Sequence, residues 1–70
     1  MKSQFEIVIY WSADDDRFIA EVPELPGCMA DGLTRRDALI MAEQTIDEWI
    51  ETAKSLGRPI PLPKGKLMFA

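Results

Sequence analysis

A chain of 70 residues with 12 acidic and eight basic side chains, no histidine and one cysteine has room for a single domain with one small core. Its net charge of −4 opposes non-specific attraction to nucleic acid or anionic lipid, and its 47% hydrophobic content suits a folded rather than a disordered chain. The lone Cys28 has no partner for an internal disulfide, residues 1–6 lack the apolar run of a signal peptide, and no stretch nears the roughly 20 apolar residues that span a bilayer. A cytoplasmic address away from membranes is expected. So small a core needs support, and without a disulfide or a histidine-based metal site the expected support is self-association.

The first predicted element covers residues 5–11, where Phe5, Ile7, Ile9 and Trp11 alternate with Glu6, Val8 and Tyr10. Both sets are largely apolar, as in a strand covered on both faces. Residues 12–16, Ser-Ala-Asp-Asp-Asp, read as a turn. Phe18, Ala20 and Val22 then resume the alternation and complete a hairpin. Pro23, Pro26 and Gly27 mark a sharp corner, because each proline fixes φ and lacks an N–H, while glycine accepts dihedrals that other residues resist. A short third strand follows over residues 28–33, with small residues that permit close approach by another element.

Thr34, three residues before Asp37, is a helix N-cap signal that places the first helical residue at Arg35. Leu39, Ala42, Ile46, Trp49, Ile50, Ala53 and Leu56 recur at three- and four-residue spacings, an apolar stripe on a helix of about 22 residues. Gly57 and Pro59 stop it. Pro59, Pro61 and Pro63 predict an extended return, and Lys66 to Phe69 a short fourth strand. The expectation is an α+β domain spanning residues 1–70, in the order β-β-β-α-β, with one helix on one face of a small, mostly antiparallel sheet.

Charge is unevenly placed. Residues 1–33 carry seven acids and two bases, residues 34–56 five and three, and residues 57–70 no acid and three bases. A basic partner is favoured over nucleic acid. Asp14, Asp15 and Asp16 lack the alternating spacing, glycine and distant glutamate of a calcium loop, so they read as a solvated hairpin tip. Cys28 has no histidine to activate it and reads as a small core residue. With no phosphate-binding glycine loop, Ser-His pair or zinc-ligand set, no catalytic, cofactor or metal site is expected.

Trp11 and Trp49 both fall on buried registers and read as core aromatics. A single helix covers one sheet face only, leaving Val8, Tyr10 and Ile19, or their opposites, without cover. Ile40 and Met41 turn away from the helical stripe. Val8, Tyr10, Ile40 and Met41 are therefore the candidate oligomer contacts.

In order along the chain, Val-Ile-Tyr-Trp, an acidic turn, Arg-Phe-Ile-Ala-Glu-Val-Pro-Glu-Leu-Pro-Gly-Cys, Ala-Asp-Gly-Leu-Thr-Arg-Arg-Asp-Ala and Gly-Arg-Pro-Ile-Pro strongly resemble the HicB family. The specific part is Val-Pro-x-Leu-Pro-Gly-Cys followed closely by Asp-Gly-x-Thr-x-x-Asp-Ala. The resemblance implies an incomplete ribonuclease H-like fold acting as the antitoxin of a bacterial type II toxin–antitoxin pair, which inhibits a small basic HicA-type ribonuclease by occlusion. It makes Pro23, Leu25, Pro26, Gly27 and Cys28 the candidate partner or motif surface. Relatives often continue into a promoter-binding domain; this chain reads as a standalone unit from which no direct DNA binding is expected. Two other readings are a homo-oligomeric structural or small-ligand-binding module without a toxin, and a metal-dependent nuclease using Asp14 to Asp16 with Glu6 or Asp31.

Overall fold

The computed structural model describes residues 4–62. Three antiparallel strands, β1 (Val8–Ser12), β2 (Arg17–Glu21) and β3 (Met29–Gly32), form a sheet in the order β1-β2-β3 and are followed by one helix, α1 (Arg35–Leu56). This is the expected small α+β arrangement over these residues; the fourth strand expected at 66–69 lies outside them. The β1–β2 hairpin closes through residues 13–16, where Asp16 adopts φ 56°, a left-handed conformation that aspartate tolerates better than most side chains.

Helix α1 begins and ends where its local chemistry dictates. Thr34 is extended and its hydroxyl accepts a hydrogen bond from the Asp37 N–H at 3.0 Å, satisfying one of the donors that the first turn leaves free. At the other end Gly57 sits at φ 70°, the Gly57 N–H donates to the Lys54 carbonyl and the Arg58 N–H to the Ala53 carbonyl. That pair of bonds is a Schellman motif, and the left-handed glycine makes it possible.

Two side-chain clusters fill the space between helix and sheet. Phe5, Val22, Leu25, Cys28 and Ile46 form one, and Ala20, Ala38 and Ala42 the other, with Ile7, Ile9, Phe18 and Ala30 packed around the alanines. The alanine cluster is where helix and sheet come closest. A Cβ built on Gly32 would stand 2.5 Å from the Ala38 nitrogen, so no larger residue fits there without displacing backbone.

The helix lies chiefly against β3, and this corrects the expected stripe. Its buried residues are Ala38, Ala42, Ile46 and Ala53, with Trp49 and Ile50 half-buried, whereas Leu39 and Leu56 are exposed. The contact at Gly32 turns Ala38 inward, and Leu39, about 100° further round, falls on the flank. Leu56 stands 18 positions beyond Ala38, roughly 27 Å along the axis, and strands of four or five residues do not reach so far. Trp11 is likewise corrected. It faces the helix side but is 48% exposed, because it lies near the end of edge strand β1 and the helix covers β3. Its ring meets Phe18 edge-on at 5.0 Å, and the Arg35 guanidinium lies 4.8 Å from the centre of the same Phe18 ring.

Candidate interaction surface

Strand alternation sorts the sheet residues onto two faces. Ile9, Trp11, Phe18, Ala20, Ala30 and Gly32 share the helix side, while Val8, Tyr10, Arg17, Ile19, Glu21, Met29 and Asp31 share the other, which no described residue covers. The register puts Tyr10, Ile19 and Asp31 in one row and Val8, Glu21 and Met29 in the next. Ile19 sits at the middle of the central strand and is 9% exposed, although no second layer lies above it. Its neighbours close over it. Val8, Tyr10 and Met29 around it are each 40–51% exposed.

Polar pairs cross this open face. The Tyr10 hydroxyl donates to Glu21 Oε2 at 2.6 Å, and Arg17 Nη1 lies 3.3 Å from Asp31 Oδ2, with both ionic side chains about half exposed. The open face is therefore not uniformly apolar. It is an apolar centre ringed by charge. The hydrogen bond to Glu21, then desolvation, then the negative charges of Glu21 and Asp15 hold the Tyr10 phenol above its ordinary pKa. A depression of about 470 Å³ opens beside Ile19 and is lined by Asp15, Arg17, Met29, Ala30 and Asp31. The Ser12 hydroxyl donates to Asp15 Oδ2 at 3.0 Å and accepts from the Asp15 N–H at 3.4 Å, which fixes that carboxylate at the rim.

The corner at residues 23–28 is built differently. The Leu25 N–H donates to Val22, the Cys28 N–H to Leu25 and the Val22 N–H to the Cys28 carbonyl, each at 3.0 Å, so the chain folds back on itself. Leu25 and Cys28 point inward and are 1% and 3% exposed; burial raises the Cys28 thiol pKa. Only Pro23, Pro26 and Gly27 of the five motif positions remain on the surface. Gly27 adopts φ 78°, so the reason for glycine there is backbone conformation rather than crowding. The half-buried Trp49 anchors the corner by donating its indole N–H to the Pro26 carbonyl at 3.0 Å.

The four residues expected as oligomer contacts do not form one surface. Val8 and Tyr10 lie on the open sheet face, while Ile40 and Met41, 44% and 45% exposed, ride on the helix behind the opposite face. On the helix, Ile40 stands one turn from Arg36 and Gln44 and two from Asp47, an ordinary charged exterior. Asp14, Asp15 and Asp16 occupy the exposed hairpin tip, and among the described residues no three His, Cys, Asp or Glu side chains converge as a metal-binding group. Among the same residues no helix is long and apolar enough to cross a membrane. The polar pairs of the open face were missed from the sequence. The signal that could have found them is the two-residue offset between cross-strand neighbours, which needs the register.

A family profile described as UPF0150-like matches residues 4–61, a span that includes all four elements. The chain is similar to UPF0150 protein Ta0767 of Thermoplasma acidophilum, with 37% identity over 54 residues, 77% of this chain and 78% of the relative. It is similar also to UPF0150 protein ssl0259 of Synechocystis sp., with 39% identity over 57 residues, 81% of this chain and 77% of the relative. No solved structure matches the chain significantly.

Proposed function

The chain belongs to the UPF0150-like family, and from that premise we propose that it is a non-enzymatic cytoplasmic binding protein for a small basic protein. Its role is that of the HicB-like antitoxins its motifs resemble: it occludes the RNA-facing surface of a HicA-type ribonuclease. The observation that carries this reading is charge. Residues 4–62 hold all 12 carboxylates of the chain and only five of its eight cationic side chains, so the body that folds around α1 is far more acidic than the whole. A body of that sign attracts a basic protein, accelerates its encounter and repels RNA, which is the combination an occluding inhibitor requires.

The experiment is co-expression with a small basic HicA-type ribonuclease. Growth rescue and co-purification are expected, with loss of ribonuclease activity in the presence of excess chain. Full ribonuclease activity in that excess contradicts the reading.

The exposed Val8, Tyr10 and Met29 favour a second reading, a self-associating module without a toxin. Light scattering separates the two. A stable oligomer together with indifference to basic proteins supports the module.

A further inference from the structure

The open sheet face and the corner at residues 23–28 are two different places at which a partner could dock, and they differ in what they offer. The corner uses its large side chains internally, since Leu25 and Cys28 are buried and Trp49 is bonded to Pro26. The helix exterior mixes both signs around Ile40, with Arg36, Gln44 and Asp47 one or two turns away. The open face gathers half-exposed Val8, Tyr10 and Met29 around a depression whose rim carries an excess of carboxylates. Three carboxylates, Asp15, Glu21 and Asp31, surround it against the single cation Arg17.

We propose that this open face is the docking surface for a basic protein, and that an arginine or lysine side chain of the partner enters the depression beside Ile19, its stem against Ile19 and Met29 and its cationic head between Asp15 and Asp31. The proposal rests on the reading of the chain as a binder of a basic protein and adds where and how the contact is made. Charge complementarity selects the occupant. A second copy would bring three carboxylates and one cation against the same set, and like charges facing across an interface oppose association. A long cationic side chain suits the depression because its methylene stem covers apolar surface while its head remains at the polar rim. Asp31 already holds Arg17 at 3.3 Å, with both side chains about half exposed, so an incoming guanidinium or ammonium joins a pair that solvent still reaches.

The test is titration of the full, isotope-labelled chain with tetra-arginine at low ionic strength, followed by the backbone amide resonances. Saturable shifts are expected in β2, β3 and the hairpin turn. Asp31→Asn should weaken binding about fivefold, whereas Glu43→Gln/Asp47→Asn on the helix, which removes more charge, should leave it nearly unchanged. Shifts centred on the helix, equal weakening by both variants, or no binding overturn the proposal. Concentration-dependent shifts of the same amides without peptide would assign the face to a second copy and overturn it as well. Met29→Lys separates this proposal from the reading beneath it. A basic ribonuclease that binds wild type and Met29→Lys equally well removes the docking site and leaves the antitoxin role standing. A wild-type chain that binds no basic protein removes both.

Discussion

The two faces of the sheet are made by the same strands and are finished in opposite ways. On the helix side the side chains are small where the layers meet: Ala20 and Ala30 of the sheet pack with Ala38 and Ala42 of the helix, and Gly32 leaves no room for even one more carbon. On the other side Val8, Tyr10 and Met29 are large and half exposed, and the order comes from Tyr10–Glu21 and Arg17–Asp31 pairs lying over the surface. Close packing leaves few voids and transmits strain, so a change of even one methylene is felt. Exposed polar pairs contribute little to stability. The comparison therefore confines the packing that holds the fold to the covered face and, on the reading proposed above, leaves the open one for recognition.

The covered face should break first. Ile46 is fully buried and links α1 to Phe5, Val22, Leu25 and Cys28, so Ile46→Ala is expected to cost about 2–5 kcal/mol, read as a shift in the urea midpoint. For a domain of this size that is a large share of the total stability. Gly32→Ala should cost about 1–3 kcal/mol through overpacking, since the added Cβ meets Asp37 and Ala38 backbone rather than a movable side chain end. An unchanged midpoint for Gly32→Ala would show that helix and sheet are not in contact there. Thr34→Ala removes the N-cap oxygen and is expected to cost about 1 kcal/mol, with the loss of helical circular dichroism confined to the unfolding transition.

On the open face the expected effects are smaller and more specific. Tyr10 is the only tyrosine, so tyrosinate absorbance reports it alone. Its phenol should titrate above the ordinary tyrosine value and move back toward it in Glu21→Gln, because the hydrogen bond to Glu21 is the main cause of the shift. The raised value means that the folded state holds this proton more tightly than the unfolded one. The associated stabilisation is present below the ordinary tyrosine pKa and is lost as pH rises through the folded-state value. A titration unchanged by Glu21→Gln would remove the Tyr10–Glu21 pair from the account.

Much of this contrast was legible in the residues, and the rest was not, for identifiable reasons. The helix limits Arg35 and Leu56 follow from Thr34, Asp37 and Gly57, which act within one turn and need no knowledge of the rest of the chain. The hairpin and the third strand were legible from alternation. What failed was rotation and extent. Leu39 belongs to a good helical stripe, yet the stripe is turned by the contact between Gly32 and Ala38, and a period of 3.6 residues does not reveal which of two neighbouring residues a distant glycine will admit. Trp11 lies on the face that its alternation predicts but without the cover, because the position of the helix over β3 is a tertiary fact. The charged ring of the open face escaped for the same reason: Arg17 and Asp31 are 14 positions apart in the chain, and only the β2–β3 register makes them neighbours.

The division of labour between the faces is tested most directly by the urea stability of the double variant Val8→Thr/Met29→Gln, which removes apolar surface from the open face without touching the helix side. Stability within about 0.5 kcal/mol of the original chain is expected, because both side chains are half exposed in the folded protein. A loss as large as that of Ile46→Ala would contradict the division and show that the open face is part of what holds the fold together.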